Sequence, residues 1–314
     1  MPLFTIVAIL IAFCGVGTTL SQDRRALDSQ EGFVTVNGSA LFYHVVGKGA
    51  PIVIVHGGPG LDHTYLLPQM DALAKRHKLI FYDQRASGRS SNVVDTNSMT
   101  MEDFVKDLEG IRKAFRIQKM NLLGHSWGGL VAMFYAVEYP ENLNSLVLLN
   151  STPASSAMRD QSFGVMARRT SRPDSIAQAA LVITEGFRDR DPATMAKFFR
   201  LLFRASFCDS RFADSLTLTF DTSYATKSKT IQYLSKDRDI AAYDLFPRLK
   251  VIHCPTMIVT GDHDIVASGA NERLHQSIPG STLIVLRNCG HFPFIEVPTE
   301  FFPLIETFLR SAGG

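Results

Sequence analysis

One six-residue segment of this 314-residue chain, residues 124–129 (GHSWGG), has the residue types of a nucleophilic turn. It lies between an apolar run at 120–123 and a helix-like run at 130–139. A G-x-S-x-G motif between a strand and a helix holds the serine hydroxyl on a tight turn, where small neighbours tolerate the crowding. The helix N-terminus directs free N–H groups at negative charge on a bound substrate. Ser126 is therefore the predicted nucleophile.

A serine hydroxyl is a weak nucleophile at neutral pH, so it needs a histidine base and a carboxylate that holds the histidine's tautomer. The chain supplies them in the order Ser, Asp, His, with His291 after the last apolar run. Two aspartates compete for the acid. Asp264 is favoured because the apolar pair after it fixes its position, whereas Asp262 could accept hydrogen bonds from loop amides. His125 and His263 are expected beside the site, without a part in proton transfer.

An acyl-transfer site also needs N–H donors fixed near the oxyanion. The amide of Trp127, which follows the nucleophile, is one candidate. The second donor is expected from residues 56–60 (HGGPG), which follow the third apolar run. Glycines let the backbone approach a substrate closely, so Gly57 in this loop is expected to contact the substrate.

The elements that must position these residues follow from the apolar pattern. Residues 33–36 and 40–46 flank Asn37-Gly38 and predict a β-hairpin with a type I′ turn. Buried strands are predicted at 51–55, 79–82, 120–123, 145–149, 256–260 and 282–286. Helices are predicted between them, at 67–76, 101–115, 130–139, 270–276 and 299–310. A hairpin that feeds repeated βα units predicts an α/β fold with a mostly parallel sheet covered on both faces.

The strand rhythm is interrupted between the fourth and fifth of these buried strands, 145–149 and 256–260. Residues 152–247, here called the cap segment, contain helix-compatible stretches at 175–187 and 194–207 and no clear strand pattern. Ligands of open α/β folds bind at the C-terminal edge of the sheet, where this segment is inserted. We therefore predict a helical cap at 152–247 over a core formed by 32–151 and 248–314.

Over nearly all of residues 33–310 the chain resembles the α/β-hydrolase superfamily, and within it the proline iminopeptidase family of serine peptidases. Three segments carry the resemblance: 56–60 (HGGPG), 83–90 (DQRASGRS) and 124–129 (GHSWGG). The resemblance implies a nucleophile, acid and base at Ser126, Asp264 and His291. It also implies oxyanion donors at the amides of Gly58 and Trp127, and a structural role for residues 83–85.

The chain departs from that family in two places. Ala86 replaces the glycine usual in the motif at 83–90. The resemblance also implies a tryptophan-rich cap motif and cap glutamates that hold the substrate's amine, yet the chain's one tryptophan is in the serine motif and Glu185 is the only glutamate of the cap segment. Glu185 is the candidate amine ligand, with Asp221 and Asp189 in reserve, because a buried ammonium must be paired.

Composition and charge exclude some classes of ligand. A net charge of +2 gives no electrostatic footprint for nucleic acid, and no clustered His, Cys or Asp spacing indicates a metal or cofactor. The expected partner is a small-molecule or short-peptide substrate. Three of the four cysteines lie beyond the N-terminal segment, and an odd count does not suit a disulfide framework.

The N-terminus predicts export. Residues 2–20 contain no charged residue, and small residues follow where a peptidase could cut, so 1–22 resembles a signal peptide without the usual basic start. The alternative is a membrane anchor at 2–20, the one part of the chain expected to contact a membrane. Residues 23–31 are predicted to be a polar linker.

These observations predict a serine hydrolase that acts through an acyl-enzyme. Within that class the prediction is an aminopeptidase of proline iminopeptidase type, and the alternative is a carboxylesterase or lactonase acting on small-molecule esters. A third hypothesis is a protein that binds a ligand without converting it. The complete set of Ser126, Asp264 and His291 disfavours it.

Overall fold

The computed structural model describes residues 28–91 and 95–312. The predicted signal peptide or anchor, and with it the expectation of export, lies outside the described residues and stays a prediction. Within the described ranges, no helix has the length and apolar character needed to cross a membrane.

Eight strands form one sheet in the order β1-β2-β4-β3-β5-β6-β7-β8. Pairs β1–β2 and β2–β4 are antiparallel, and all the other neighbours are parallel. In chain order the strands are β1 (Ser29–Val36), β2 (Ser39–Val46), β3 (Ala50–Val55), β4 (His77–Tyr82), β5 (Met120–His125), β6 (Leu143–Leu149), β7 (Thr256–Gly261) and β8 (Thr282–Leu286). The predicted fold class, an α/β fold with a mostly parallel sheet, is confirmed.

The N-terminal hairpin forms as predicted, with one correction. Asn37 and Gly38 have φ values of 45° and 73°, which suit the predicted turn because both of its central residues need positive φ. The strand, however, begins at Ser29, which pairs with Val46, so the predicted linker does not extend to residue 31. An ion pair between Glu31 and Arg89 (2.7 Å) accompanies this longer strand.

Eleven α-helices lie in the described part of the chain. They are α1 (Met101–Ala114), α2 (Trp127–Glu138), α3 (Ser156–Arg169), α4 (Arg172–Val182), α5 (Glu185–Arg188), α6 (Pro192–Phe203), α7 (Tyr224–Ile231), α8 (Arg238–Ala241), α9 (Ala270–Ser277), α10 (Pro293–Glu296) and α11 (Pro298–Ala312). Short 3₁₀ helices occupy His63–Leu66, Gln69–Lys75, Thr96–Ser98, Pro140–Asn142, Arg204–Ser206, Ser210–Ser215, Gln232–Lys236 and Leu249–Val251.

The sheet is covered on both faces, because alternate side chains of its strands point to opposite faces and both sets are apolar. In β3, Val53 and Val55 face one apolar cluster with α1 and α2, and Ile52 and Ile54 face a second cluster with α11. Fully burying each such side chain contributes about 1.5–3 kcal/mol. The sheet is therefore fixed from both sides, and its C-terminal edge presents the loops that carry the candidate site.

Two helix predictions needed correction. The helix predicted at 67–76 is a 3₁₀ helix that starts after Pro68. The stretch predicted at 175–187 divides into α4 and α5, because the Thr184 hydroxyl accepts a hydrogen bond from the Phe187 amide and starts a new helix. The residues between β6 and β7 form α3 to α8; a domain division at 152 and 247 stays a prediction.

Candidate active site

Ser126 lies at the turn between β5 and α2, with φ 56° and ψ −122°. Positive φ in a non-glycine residue costs about 1–3 kcal/mol, so the surrounding structure must impose it. It does so through the backbone: the Ser126 amide donates to the Leu149 carbonyl (3.1 Å), and the Ser126 carbonyl accepts from the amides of Gly129 (2.9 Å) and Thr152 (3.0 Å). The strained turn thus points the hydroxyl away from the sheet.

Two glycines of the motif are required by close backbone contact. A Cβ on Gly124 would lie 2.4 Å from the Gly128 carbonyl oxygen, and one on Gly128 would lie 2.1 Å from the Val55 carbonyl oxygen. No side chain fits at either distance. The spacing of the motif therefore follows from how tightly α2 packs onto β3 and β5.

His291 connects Ser126 to Asp264. Its Nε2 lies 2.9 Å from the Ser126 Oγ, and its Nδ1 lies 2.7 Å from the Asp264 Oδ1. Both Asp264 and His291 are buried. The structure therefore brings together, in hydrogen-bond contact, the three residues that the sequence singled out, although β5, β7 and β8 carry them from three distant parts of the chain.

The Asp264 carboxylate is held by four groups. Besides His291, it accepts hydrogen bonds from the Ile265 amide (2.7 Å), the Asn150 side chain (2.8 Å) and the Thr260 hydroxyl (3.2 Å). Burial alone would raise the pKa of Asp264, but the interaction with His291 and these hydrogen bonds hold the pKa below its usual value. Asp264 is thus an anion that can stabilise a protonated His291.

Asp262 has a different environment. Its carboxylate accepts from the Cys289 amide (3.2 Å) and lies 2.7 Å from the Nδ1 of His263, a residue that is itself half-exposed. It makes no contact with His291 among the described residues. The loop-amide role considered for Asp262 in the sequence matches this geometry.

A buried chain of hydrogen bonds joins the glycine loop to the histidine loop. The Gly57 amide donates to the Tyr65 hydroxyl (2.6 Å), which lies 2.6 Å from the His125 Nδ1, and the His125 Nε2 lies 2.9 Å from the His291 carbonyl oxygen. Burial lowers the pKa of His125 to about 3, so its ring is neutral. Its Nε2–H then donates to His291, and its Nδ1 accepts from Tyr65.

Gln84 fixes the position of Trp127. Its side-chain oxygen accepts from the Trp127 indole N–H (2.9 Å), and its amide nitrogen donates to the His56 carbonyl (2.7 Å). Next to it, the Arg85 guanidinium makes two bonds to Asp107, at 2.6 and 2.7 Å. Gln84 thus supports the site from beside it, and the structural role that the resemblance implies for residues 83–85 as a whole stays a prediction.

The two predicted oxyanion donors both line the cavity above Ser126. Trp127 is the first residue of α2, so its amide has no carbonyl one turn earlier to bond within the helix. Gly58 adopts φ 121°, which only glycine accommodates without strain. Gly57 lines the same cavity, and a Cβ on it would lie 3.0 Å from the Ser126 Cβ.

The cavity has a volume of about 580 Å³ and a largely apolar wall. Loops of the sheet edge and helices of the cap segment both contribute, among them Leu61, Phe163, Met166, Phe199, Phe203 and Ile265. Within the described residues no Asp or Glu lines it, and Arg159 is its only Lys or Arg. The Arg159 guanidinium is itself engaged by Asp160, at 2.8 and 2.9 Å, and by the Ile240 carbonyl.

This wall corrects one site prediction. Glu185, the candidate amine ligand, is exposed at the start of α5 and is not among the cavity-lining residues. Of its reserves, Asp189 is exposed, and Asp221 lines a separate polar cavity. The reason is packing: the helical period of the cap segment does not show which face of α5 turns inward.

The family follows from a match to the model of the alpha/beta hydrolase fold over residues 50–298. The chain belongs to the α/β-hydrolase family. Among curated relatives of this α/β-hydrolase, a proline iminopeptidase of Lactobacillus helveticus (strain DPC 4571) is 28% identical over 292 residues, spanning 89% of this chain and 97% of the relative. One of Saccharolobus solfataricus is 27% identical over 301 residues, spanning 90% and 93%.

Solved structures of proteins with different named activities share this fold. The proline iminopeptidase of Mycobacterium smegmatis superposes with a TM-score of 0.65 at 21% identity, covering 90% of this chain and 98% of that one. The enol-lactonase of Burkholderia xenovorans LB400 gives 0.62 at 21% identity, covering 89% and 100%. At these identities the likeness shows the fold of the α/β-hydrolase and leaves the substrate open.

One functional candidate, Glu296, was missed in the sequence. Its carboxylate accepts from the Gly290 amide (2.8 Å), next to His291, and from the Cys208 amide (2.7 Å) of the cap segment. The His291 amide also donates to the Ser206 carbonyl (2.7 Å). Hydrogen bonds thus hold the loop of His291 against the cap segment; the two bonds to the Glu296 carboxylate are called here the Glu296 clasp. In the sequence, Glu296 is only a glutamate five residues after His291, and that spacing indicates no particular role.

We expect Glu296→Ala to lower kcat by roughly 10- to 100-fold while KM changes little, because small displacements of a catalytic group cost about that much. Both the Gly290 and Cys208 amides would lose their acceptor. Steady-state kinetics on a soluble ester measure this. Glu300→Ala, an exposed position on α11, is the matched control. An equal loss in both variants, or a change in KM alone, would contradict the positioning role.

Proposed function

We propose that this α/β-hydrolase cleaves esters, lactones included, of neutral and largely apolar carboxylic acids through an acyl-enzyme on Ser126. One observation carries the proposal. The Ser126 hydroxyl, bonded to His291, opens onto a cavity of about 580 Å³ with no acidic side chain in its described lining.

In the acylation step, Ser126 Oγ attacks the ester carbonyl carbon while its proton passes to His291 Nε2. Asp264 stabilises the resulting imidazolium across the 2.7 Å hydrogen bond. The carbonyl oxygen becomes an oxyanion and accepts hydrogen bonds from the amides of Gly58 and Trp127. A single such donor lowers the activation barrier by about 2.7–4 kcal/mol in comparable sites.

The tetrahedral intermediate then collapses, and the leaving alcohol takes its proton from His291. A water molecule enters and attacks the acyl carbon, giving a proton to His291 Nε2. When the second tetrahedral intermediate collapses, Ser126 Oγ leaves and recovers that proton. The acid departs, and the site returns to its starting protonation without a cofactor.

The apolar wall bears on the substrate. A substrate with a free amine would bring an ammonium into the cavity, and a buried ammonium needs a carboxylate partner. The described wall offers no carboxylate, and its one side chain of permanent charge, Arg159, is positive. A neutral acyl group has no such requirement, so the wall suits an ester better than an N-terminal peptide.

The second candidate is the aminopeptidase predicted from the sequence. The curated relatives favour it, since the proline iminopeptidases of Lactobacillus helveticus and Saccharolobus solfataricus match over 89% and 90% of this chain. It requires an acidic group to reach the substrate amine, which the described cavity wall does not supply.

A three-substrate comparison separates the candidates. We expect a short-chain p-nitrophenyl ester to be turned over, and free and N-acetylated prolyl p-nitroanilide to differ little in kcat/KM. An aminopeptidase would lose roughly a hundred- to several-thousand-fold on acetylation, because a charge-assisted pair of about 3–5 kcal/mol is removed. Glu185→Gln serves as a control that leaves ester turnover unchanged. A large acetylation effect without ester turnover would reject the esterase proposal.

A further inference from the structure

The outward face of α4 is apolar. Ile176 is 62% exposed and Ile183, just past the helix end, is 82% exposed. Ala179 and Ala180 between them are exposed as well. The spacing i, i+3, i+4, i+7 places these four residues along one side of a helix. They are called here the α4 outer stripe.

Two polar side chains of α4, Asp174 and Gln178, face the neighbouring helix α6. Gln178 donates to the Leu201 carbonyl of α6 (3.2 Å), and Asp174 lies 3.5 Å from the Arg204 guanidinium that follows α6. A surface helix of a globular protein normally has the opposite arrangement, with its apolar stripe inward. The α4 outer stripe is therefore an apolar surface that the described residues leave uncovered.

Helix α4 has two neighbours that line the catalytic cavity, α3 along the chain and α6 by packing. Phe163 of α3 lines that cavity and is 58% exposed. Only Thr170 and Ser171 separate α3 from α4. On its other side, α4 packs against α6, which supplies Phe199 and Phe203 to the cavity wall.

Positive charge borders the stripe at its N-terminal end. Arg168 and Arg172 are exposed, and neither guanidinium has an ion-pair partner within the part of the chain described. The nearest carboxylate in sequence, Asp174, is already used by Arg204. At the other end, Arg188 is offset by the exposed Glu185 and Asp189, so the excess of positive charge lies near Arg172.

We propose that the α4 outer stripe docks on an anionic lipid surface. A helix that lies at a membrane interface combines an apolar face with basic residues at its border, as here. This contact is separate from the N-terminal segment, where the sequence placed any membrane association.

A second copy of the chain is a poorer occupant. The 11-residue helix α4 is about 16 Å long, and a stripe about 10 Å wide offers roughly 160 Å². A specific protein interface buries about 800 Å² on each partner. A lipid surface has no such minimum, because apolar insertion and attraction of arginine to anionic headgroups add to each other.

A fluorescent reporter tests the contact locally, so that binding through the N-terminal segment cannot imitate it. The full chain carries Cys14→Ser and Cys208→Ser, and an environment-sensitive probe is attached at Ile176→Cys. The matched control carries the probe at Val285→Cys, which is 51% exposed on β8. Vesicles contain phosphatidylcholine, alone or with phosphatidylglycerol.

We expect the emission at position 176 to shift to the blue with phosphatidylglycerol vesicles, to shift less with phosphatidylcholine alone or in high salt, and not to shift at 285. Adding Ile183→Ser should weaken vesicle affinity by roughly tenfold or more, since one buried isoleucine is lost. Turnover of a short soluble ester should stay within about twofold, as expected for a surface substitution.

Three results would overturn the proposal. The first is no shift at 176, whether or not the protein binds the vesicles. The second is an equal shift at both positions. The third is a blue-shifted probe at 176 without vesicles: dependence on protein concentration would then identify a second copy as the occupant, and independence would identify a segment of the same chain.

Discussion

Ser126→Ala is expected to lower kcat/KM on the best ester substrate by roughly 10⁵- to 10⁶-fold, the loss typical when a triad nucleophile is removed. The reason is geometric: Ser126 Oγ is the one hydroxyl that lies 2.9 Å from His291 Nε2 among the described residues. The fold should survive, because the turn is held by the Ser126 backbone amide and carbonyl, which alanine retains. Turnover measures the loss of activity, and thermal unfolding measures whether the fold survives.

A matched control is Ser235→Ala. Ser235 also lines the cavity, but its hydroxyl donates to the Gln232 carbonyl (2.8 Å) and not to a histidine. A fluorophosphonate that labels active serines should label the wild type and Ser235→Ala and should not label Ser126→Ala. Near-normal turnover in Ser126→Ala, or labelling of that variant, would show that another residue is the nucleophile.

The triad could be located from the sequence because parallel strands simplify the geometry. Ser126, Asp264 and His291 each follow the C-terminal end of a predicted strand, and in a parallel sheet those ends meet at one edge. The order β5-β6-β7-β8 in the sheet places the three loops side by side. Motif order and strand position were sufficient, with no knowledge of loop conformation.

The side chains of the cap segment that line the cavity could not be predicted in this way. Its helices were visible, but a helical period does not show which neighbour a face meets. Glu185 was assigned to the cavity and is exposed, whereas α4 turns isoleucines outward against the usual rule. Both outcomes depend on how α4 to α6 pack, which is a property of the folded chain.

The Glu296 clasp shows a second limit. Its two partners, Cys208 and Gly290, donate backbone amides, so nothing in their residue types signals the contact. Cys208 is 88 positions away from Glu296. Contacts between a backbone amide and a distant carboxylate have no sequence motif, and only the folded structure places them.

The choice between two aspartates gives the second large prediction. Asp264→Asn should lower kcat by about 10⁴-fold, because an amide at that position can present its N–H to His291 and stabilise the wrong tautomer. Asp262→Asn should lower kcat by less than about tenfold, since its oxygen can still accept a hydrogen bond from the Cys289 amide.

Both changes are isosteric and remove one negative charge close to the loop of His291. The pair therefore separates the charge at the Asp264 contact, 2.7 Å from His291 Nδ1, from general loss of charge at this edge of the sheet. Measured kcat values that are equal, or that fall further in Asp262→Asn, would mean that His291 takes its orientation from elsewhere.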